Sequence, residues 1–268
     1  MLGHSGVWRL TCAAVVLLLV CGALGYADTW DTIFWQDDFQ DGDYTSNPTW
    51  TTFGGPGGFT HSVVDTGGGE YVFRQTGTYL GAAGAGWAGA YVSVLEGNQG
   101  MTGWVDSSRV TANGWAALSL LRYTPSGIGG FGTGYALAIA HNAADNITAT
   151  LYRLDDVSTP AITSEVTILS EYSDVWFRFF ATGADADTRL QARVWADGSA
   201  EPDAWHLDTG VTTYYNTGFG GVGVVTQSEG VLADADFDNI EFGTPEPTTM
   251  VLMATGLGAI VLRRRRRG

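Results

Sequence analysis

The 268-residue chain contains no lysine: its 13 basic residues are all arginines, set against 28 acids for a formal net charge of −15. Five arginines form one run, Arg263 to Arg267, and Arg9 lies near the start. Asp28 to Thr244 is left with 27 acids and 7 arginines. That balance excludes nucleic acid as a partner, because such binding needs a basic surface to displace counterions from phosphates. Cysteine is missing from the same stretch, since Cys12 and Cys21 both precede it. Disulfides, thiolate metal sites and thiol catalysis are therefore excluded there. No long helical period of apolar residues is present, and charged residues make up only 15%, unlike a helical bundle. Histidine is scarce as well. Beyond His4 there are only His61, His141 and His206, with no His-Glu-x-x-His pair and no Gly-x-Ser-x-Gly nucleophile turn.

What the chain does contain begins with two address-like ends. Arg9, an apolar run from Leu10 to Ala23, and small residues at Gly25 and Ala27 form the three parts of a secretory signal peptide. Cleavage is expected after Ala27, so that 1–27 is the signal and Asp28 the first mature residue. At the other end Pro245-Glu246-Pro247 precedes an apolar stretch, about 248–262, and then Arg263, Arg264, Arg265, Arg266 and Arg267. Fifteen helical residues span about 22 Å, short of a hydrocarbon core of about 30 Å. An arginine cluster still holds such an end on the cytoplasmic side. The reading is a single C-terminal transmembrane helix anchored in the inner membrane.

Those parts in that order, Pro245-Glu246-Pro247, apolar helix and arginine tail, resemble the PEP-CTERM sorting signal of Gram-negative bacteria. The resemblance covers about the last 25 residues. It implies that an exosortase, an integral-membrane sorting protease, is a partner and acts near Pro245, Glu246 and Pro247. The arginine tail would be the cytoplasmic stop. It implies a destination at the cell envelope, the cell surface or an exopolysaccharide matrix.

Between the ends, 28–244 is long enough for one all-β domain. Strand-like runs are expected at Trp115 to Tyr123, Tyr135 to His141, Ile147 to Leu154, Val175 to Ala181, Leu190 to Trp195, Phe219 to Thr226 and Ala233 to Phe242, with turn residues between them. Gly81 to Gly89 reads as an ordered glycine- and alanine-rich loop. One hairpin is explicit. Phe177 and Phe179 alternate with Trp176, Arg178 and Phe180, and Leu190, Ala192 and Val194 alternate with Gln191, Arg193 and Trp195. Pairing Phe179 with Leu190 and Phe177 with Ala192 makes one face apolar. Trp176, Arg178, Gln191, Arg193 and Trp195 then share the other. Such one-sided sheets build a sandwich.

Asp37-Asp38-Phe39-Gln40-Asp41-Gly42 with Trp50, then Arg193-Val194-Trp195-Ala196-Asp197-Gly198 with Trp205, and finally Phe237-Asp238-Asn239-Ile240 resemble the concanavalin A-like lectin/glucanase superfamily, especially its laminin-G-like members. The resemblance implies an all-β, jelly-roll β-sandwich of two antiparallel sheets. It does not by itself imply a function. Glucanases of the superfamily carry Glu-x-Asp-x-(x)-Glu on one strand as paired carboxylates. Here the only Glu-x-Asp is Glu201-Pro202-Asp203, with no third acid and a proline that suits a turn. No catalytic residue is assigned.

Two non-catalytic sites are expected instead. The hairpin face with Trp176, Arg178, Gln191, Arg193 and Trp195 combines aromatic surface with hydrogen-bonding groups, as a sugar site does. Its alternative is a face packed under a loop. The acidic groups Asp38, Asp41, Asp43, Asp236 and Asp238 come together if the first and last strands are neighbours, and could hold a structural calcium ion. Their alternative is a solvated acidic edge that deters aggregation. Ile240 shares parity with Asp234, Asp236 and Asp238, which requires a bulge near Asn239 or inward-facing acids. The sequence thus describes an exported, non-catalytic envelope or matrix protein that binds polysaccharide. Two readings stand beside it: a carbohydrate-active enzyme of the same fold, and a purely structural surface protein.

Overall fold

The structure, a computed structural model, describes residues 30–245 apart from 47, 55–57, 79–85, 107–114, 127–131, 143, 156–159, 171–172, 214 and 227–231. The expected signal peptide (1–27), the helix expected at 248–262 and the arginine tail lie outside the described residues. Among those that are described, no helix is long and apolar enough to cross a membrane.

Two antiparallel sheets form the sandwich. The first contains β1 (Trp30–Asp37), β3 (Thr60–Gly67), β4 (Glu70–Thr78), β6 (Gln99–Asp106), β11 (Val175–Thr182), β12 (Arg189–Ala196), β13 (Leu207–Gly210) and β15 (Leu232–Pro245). The second contains β2 (Thr51–Gly54), β5 (Gly86–Glu96), β7 (Trp115–Thr124), β8 (Thr133–His141), β9 (Ile147–Asp155), β10 (Val166–Leu169) and β14 (Gly218–Thr226). Strand order is β13-β12-β11-β6-β15-β4-β3 in the first sheet, with β1 added to the C-terminal half of β15, and β10-β9-β8-β7-β14-β5-β2 in the second. This is the all-β jelly-roll arrangement expected from the sequence.

The seven expected runs correspond to β7, β8, β9, β11, β12, β14 and β15 within one to three residues at each end. Gly86 to Gly89, expected in a loop, instead open β5. Small residues are required there because the strand lies tight between neighbours: a Cβ on Gly89 would collide with the Phe53 ring and the Val222 carbonyl. In the hairpin of β11 and β12, Phe179 pairs with Ala192 and Phe177 with Val194, two residues from the expected register. A slip of two leaves every side chain on its expected face. Phe177, Phe179, Leu190 and Val194 accordingly enter the core, each contributing about 1.5–3 kcal/mol.

Two bulges decide what faces inward. Between the pairs Asp238–Trp104 and Glu241–Thr102, β15 carries two residues where β6 carries one, and Asn239 has φ 50. Ala233, Ala235 and Phe237 point into the core before the bulge, and Ile240 and Phe242 after it. The shared parity of Ile240 and the aspartates is resolved in this way. On β7 the extra residue is Arg122, also at φ 50, which is unpaired toward both β14 and β8. The bulge turns Arg122 between the sheets and leaves Tyr123 on the outer face.

Arg122 is fully buried. Its guanidinium donates to the carbonyls of Tyr215 (2.9 Å), Gly183 (2.6 Å) and Ala181 (3.3 Å), the last two belonging to the first sheet and its β11–β12 turn. Its backbone N–H donates to Gln99 Oε1 at 2.6 Å, and Gln99 in turn donates to the Gly218 carbonyl. Buried polar groups are tolerated when bonded in this way. Arg122→Met keeps the bulk but strands several carbonyls, so unfolding in urea should show a loss of about 1–3 kcal/mol; an unchanged midpoint would show that these bonds carry no net stability.

Candidate functional site

The outer face of the first sheet carries a row of tryptophans that local sequence could not align. Trp195 on β12 lies opposite Trp176 on β11, Trp176 lies opposite Trp104 on β6, and Trp104 lies opposite Asp238 on β15. With strands about 4.8 Å apart, the three backbone positions span about 10 Å. All three tryptophans are half-buried. Trp176 Nε1 donates to Asp197 Oδ1 at 2.8 Å. The next outward row reads Arg193, Arg178, Thr102 and Glu241 across the same strands. Residues Trp176, Arg178, Gln191, Arg193 and Trp195 do share one face, and Trp104 joins them from a strand the sequence reading had not placed. Its signal was the alternation of Met101, Gly103 and Val105 with Thr102 and Trp104.

The loop between β12 and β13 folds over the arginine row. The His206 backbone N–H donates to the Ala192 carbonyl at 3.0 Å, and His206 Nδ1 accepts from the Val194 N–H at 3.1 Å. Glu201 sits between Arg178 (3.0 Å) and Arg193 (3.1 Å). Arg193 also donates to the Pro202 carbonyl at 2.6 Å and lies 3.9 Å from the Trp205 ring centre. Trp205 packs on Phe180 with 5.3 Å between rings. Burial lowers the pKa of Arg178 and of Arg193, and the charge of Glu201 opposes that shift in both. These two arginines therefore fasten the loop. Glu201-Pro202-Asp203 lies in this loop, outside any strand. Gln191 is likewise engaged, donating to Asp208 Oδ2 at 3.3 Å. The tryptophan row lies beside this loop clamp on the same face.

A second aromatic patch, absent from the sequence reading, lies on the outer face of the second sheet. Tyr91 and Phe219 stack with centroids 4.9 Å apart, and Phe53 sits 4.9 Å from Tyr123. Tyr123 is on this face because of the Arg122 bulge, which no local pattern announces.

The acidic candidates are dispersed among protein donors. Asp236 takes both Nε and Nη2 of Arg74 at 2.8 and 2.7 Å. Asp43 accepts from Thr45 N–H and Oγ1 and from the Ser46 hydroxyl, Asp41 from Asp43 N–H, and Asp38 from Gln40 N–H. Asp238 accepts from both the backbone and the side-chain amide of Asn239. Among the described residues, no group of three or more His, Cys, Asp or Glu is placed to hold a metal ion. A calcium ion wants six to eight oxygens around one point. Asp38, Asp41, Asp43, Asp236 and Asp238 each accept from separate local donors.

The first and last strands of the described body do meet, with β1 antiparallel to β15 and Trp30 facing Pro245. Asp37 is buried and accepts from Trp50 Nε1 and Phe39 N–H, both at 2.8 Å. Burial pushes its carboxyl up to about 6 against those hydrogen bonds, with Asp41 and Asp38 adding to the rise. Asp238 is likewise pushed up to about 6 by burial, with Asp38, Glu70 and Asp37 as repelling neighbours. A carboxyl raised in the folded state keeps a proton that the unfolded chain releases. Stability contributed by that proton is present at about pH 4 and is lost as pH rises through about 6. Asp238→Asn should therefore flatten the fall of the thermal midpoint between pH 4 and 7.5 and raise the midpoint at pH 7.5. Parallel curves for the two proteins would contradict this.

Residues 244–267 match the PEP-CTERM protein-sorting motif. No curated protein matches the chain by sequence. Among solved structures, the carbohydrate recognition domain of Emp46p in its potassium-bound form is similar at 11% identity over 80% of this chain and 98% of that one, with a TM-score of 0.53. The carbohydrate-binding module CBM66 from Bacillus subtilis has 15% identity over 73% of this chain and 95% of that one, at 0.48. An endo-beta-1,4-glucuronan lyase from the fungus Trichoderma reesei has 13% identity over 80% and 96%, at 0.47. At such identities the likeness concerns the fold, and it rests on the first of the three. The chain thus carries a PEP-CTERM sorting motif at residues 244–267, behind a body whose two-sheet antiparallel β-sandwich fold is similar to that of the Emp46p carbohydrate recognition domain.

Proposed function

We propose that this is an exported, non-catalytic surface protein that holds polysaccharide on the tryptophan row of Trp104, Trp176 and Trp195. The observation that carries the reading is the register that lines these three up across β6, β11 and β12. Indole faces offer apolar contact to the C–H faces of successive sugar rings, and Asp197 and Asp238 beside them offer acceptors for hydroxyls. The loop clamped by Arg178, Arg193 and Glu201 forms one wall of this surface and fixes Trp205 beside it.

The sorting route follows from the ends. The signal peptide, 1–27, directs export and is removed after Ala27. The body, 28–244, folds outside the cytoplasm. The segment 245–268 holds the protein in the inner membrane until an exosortase acts near Pro245, Glu246 and Pro247, and the product passes to the cell surface or matrix. Support for this order comes from the sorting match at 244–267.

The test is a glycan array probed with the full-length protein and with Trp176→Ala and Trp104→Ala. Selective binding should fall about 30-fold or more in each, as for a central aromatic contact worth about 2 kcal/mol. No new reducing ends should appear in any glycan that binds. Undiminished binding by both variants would remove the tryptophan row from the reading, and released sugar would place the protein among enzymes of the fold.

A further inference from the structure

A cleft of about 280 Å³ opens between β13 at the edge of the first sheet and β9 of the second, and the tryptophan row has no part in it. Its lining includes Tyr135, Arg153, Pro160, Ile162, Thr212 and Thr213. The alternation of β9 sends Ile147, Ala149 and Leu151 into the core, and the next inward position is Arg153. An inward charge at the end of an apolar row is costly unless it meets a partner.

The partners present are few. Arg153 Nη1 donates to Thr213 Oγ1 at 2.8 Å and Nη2 to Asp155 Oδ2 at 3.2 Å. Each terminal nitrogen of a guanidinium carries two N–H groups. These two bonds leave a second N–H on each nitrogen with no acceptor among the described residues. Tyr135, which faces Arg153 across the strand pair, donates its hydroxyl to the Thr213 carbonyl at 2.9 Å and accepts from the Tyr215 N–H at 3.0 Å. Behind it the buried Arg122 guanidinium donates to the Tyr215 carbonyl at 2.9 Å, and all its described partners are carbonyls and the Thr188 hydroxyl. Arg153 is thus the guanidinium that lines the cleft, with Asp155 as its bonded carboxylate and two N–H groups left over.

We infer that this cleft binds the end of a carboxylate-bearing saccharide, a uronic-acid-type residue. A carboxylate takes the remaining N–H groups of Arg153 in the charge-assisted manner that arginine favours. The hydroxyls of Thr212 and Thr213 meet ring hydroxyls, and Pro160 and Ile162 meet the C–H face of the ring. The volume lies at the small end of ligand clefts, fitting one sugar ring and not an internal stretch of chain. The inference deepens the glycan-binding reading but uses none of its residues.

Calorimetric titration of the full-length protein in a mild detergent, with glucuronic acid and with glucose as the neutral probe of similar shape, tests it. Glucuronate should bind saturably and glucose at least tenfold more weakly. Arg153→Gln should weaken glucuronate at least tenfold, and so should Ala161→Trp, which fills the cleft from an exposed position at its lip. The second variant decides if the first fails to fold. Trp176→Ala should bind glucuronate as the parent does, so this site and the tryptophan row stand or fall separately. Absence of saturable glucuronate binding, equal binding of glucose, or unchanged binding in a folded Ala161→Trp protein would each overturn the inference.

Discussion

Strand β15 carries one residue more than β6 can pair, and that surplus at Asn239 sets the sides of the sandwich. Ahead of the bulge the alternation puts Ala233, Ala235 and Phe237 in the core. Without the extra residue the same alternation would turn Ile240 and Phe242 outward and Glu241 inward. With it, Phe242 meets Trp35 and Trp50 at ring distances of 5.2 and 6.5 Å, and Glu241 stays on the outer face. The strand then continues far enough for β1 to pair along it, which brings the two ends of the described body together. A β-bulge is a local departure from pairing, but here three neighbouring strands take their register from it.

The second bulge, at Arg122, solves a different problem. Two sheets held only by apolar contact can slide, because dispersion has little directionality. Arg122 and Gln99 bond across the interface to carbonyls of the opposite sheet, and Gln75 reaches the Val222 carbonyl at 3.3 Å. Hydrogen bonds are directional, so these ties fix one alignment of the sheets. The fit requires glycine where the bulged strand comes close: a Cβ on Gly218 would run into the Arg122 backbone. Glycine is here a condition of close approach.

The candidate sites follow from the same geometry. The outer face of the first sheet is divided between a loop clamp, made of Arg178, Arg193 and Glu201, and the tryptophan row beside it. The hairpin was legible in the sequence because period-2 alternation is a local property, and a register error of two residues changes no face. Trp104 was not legible as a member of the row, because β6 follows β11 by neither sequence nor motif; only tertiary pairing sets them side by side. Arg153 was legible only as a break in an apolar alternation. Its meaning depends on Thr213 and Tyr135, 60 and 18 residues away in sequence.

Sequence by itself determined the sorting motif at 244–267, the cysteine and lysine chemistry the body lacks, and which side of each clear strand is apolar. Those properties are carried by contiguous residues: the sorting motif, the missing cysteines and lysines, the alternating runs. The tertiary structure decided where the acids go, which arginines are spent on holding a loop, and which aromatic side chains share a surface. The aspartates near Asp38 and Asp238 do come close, as Asp38 repels the Asp238 carboxylate, yet local N–H donors, Arg74 and burial claim them individually. Proximity of groups distant in sequence depends on strand order and on single extra residues such as Asn239 and Arg122. The free energy of those choices is spread over the whole pairing pattern, and so no window of sequence contains it.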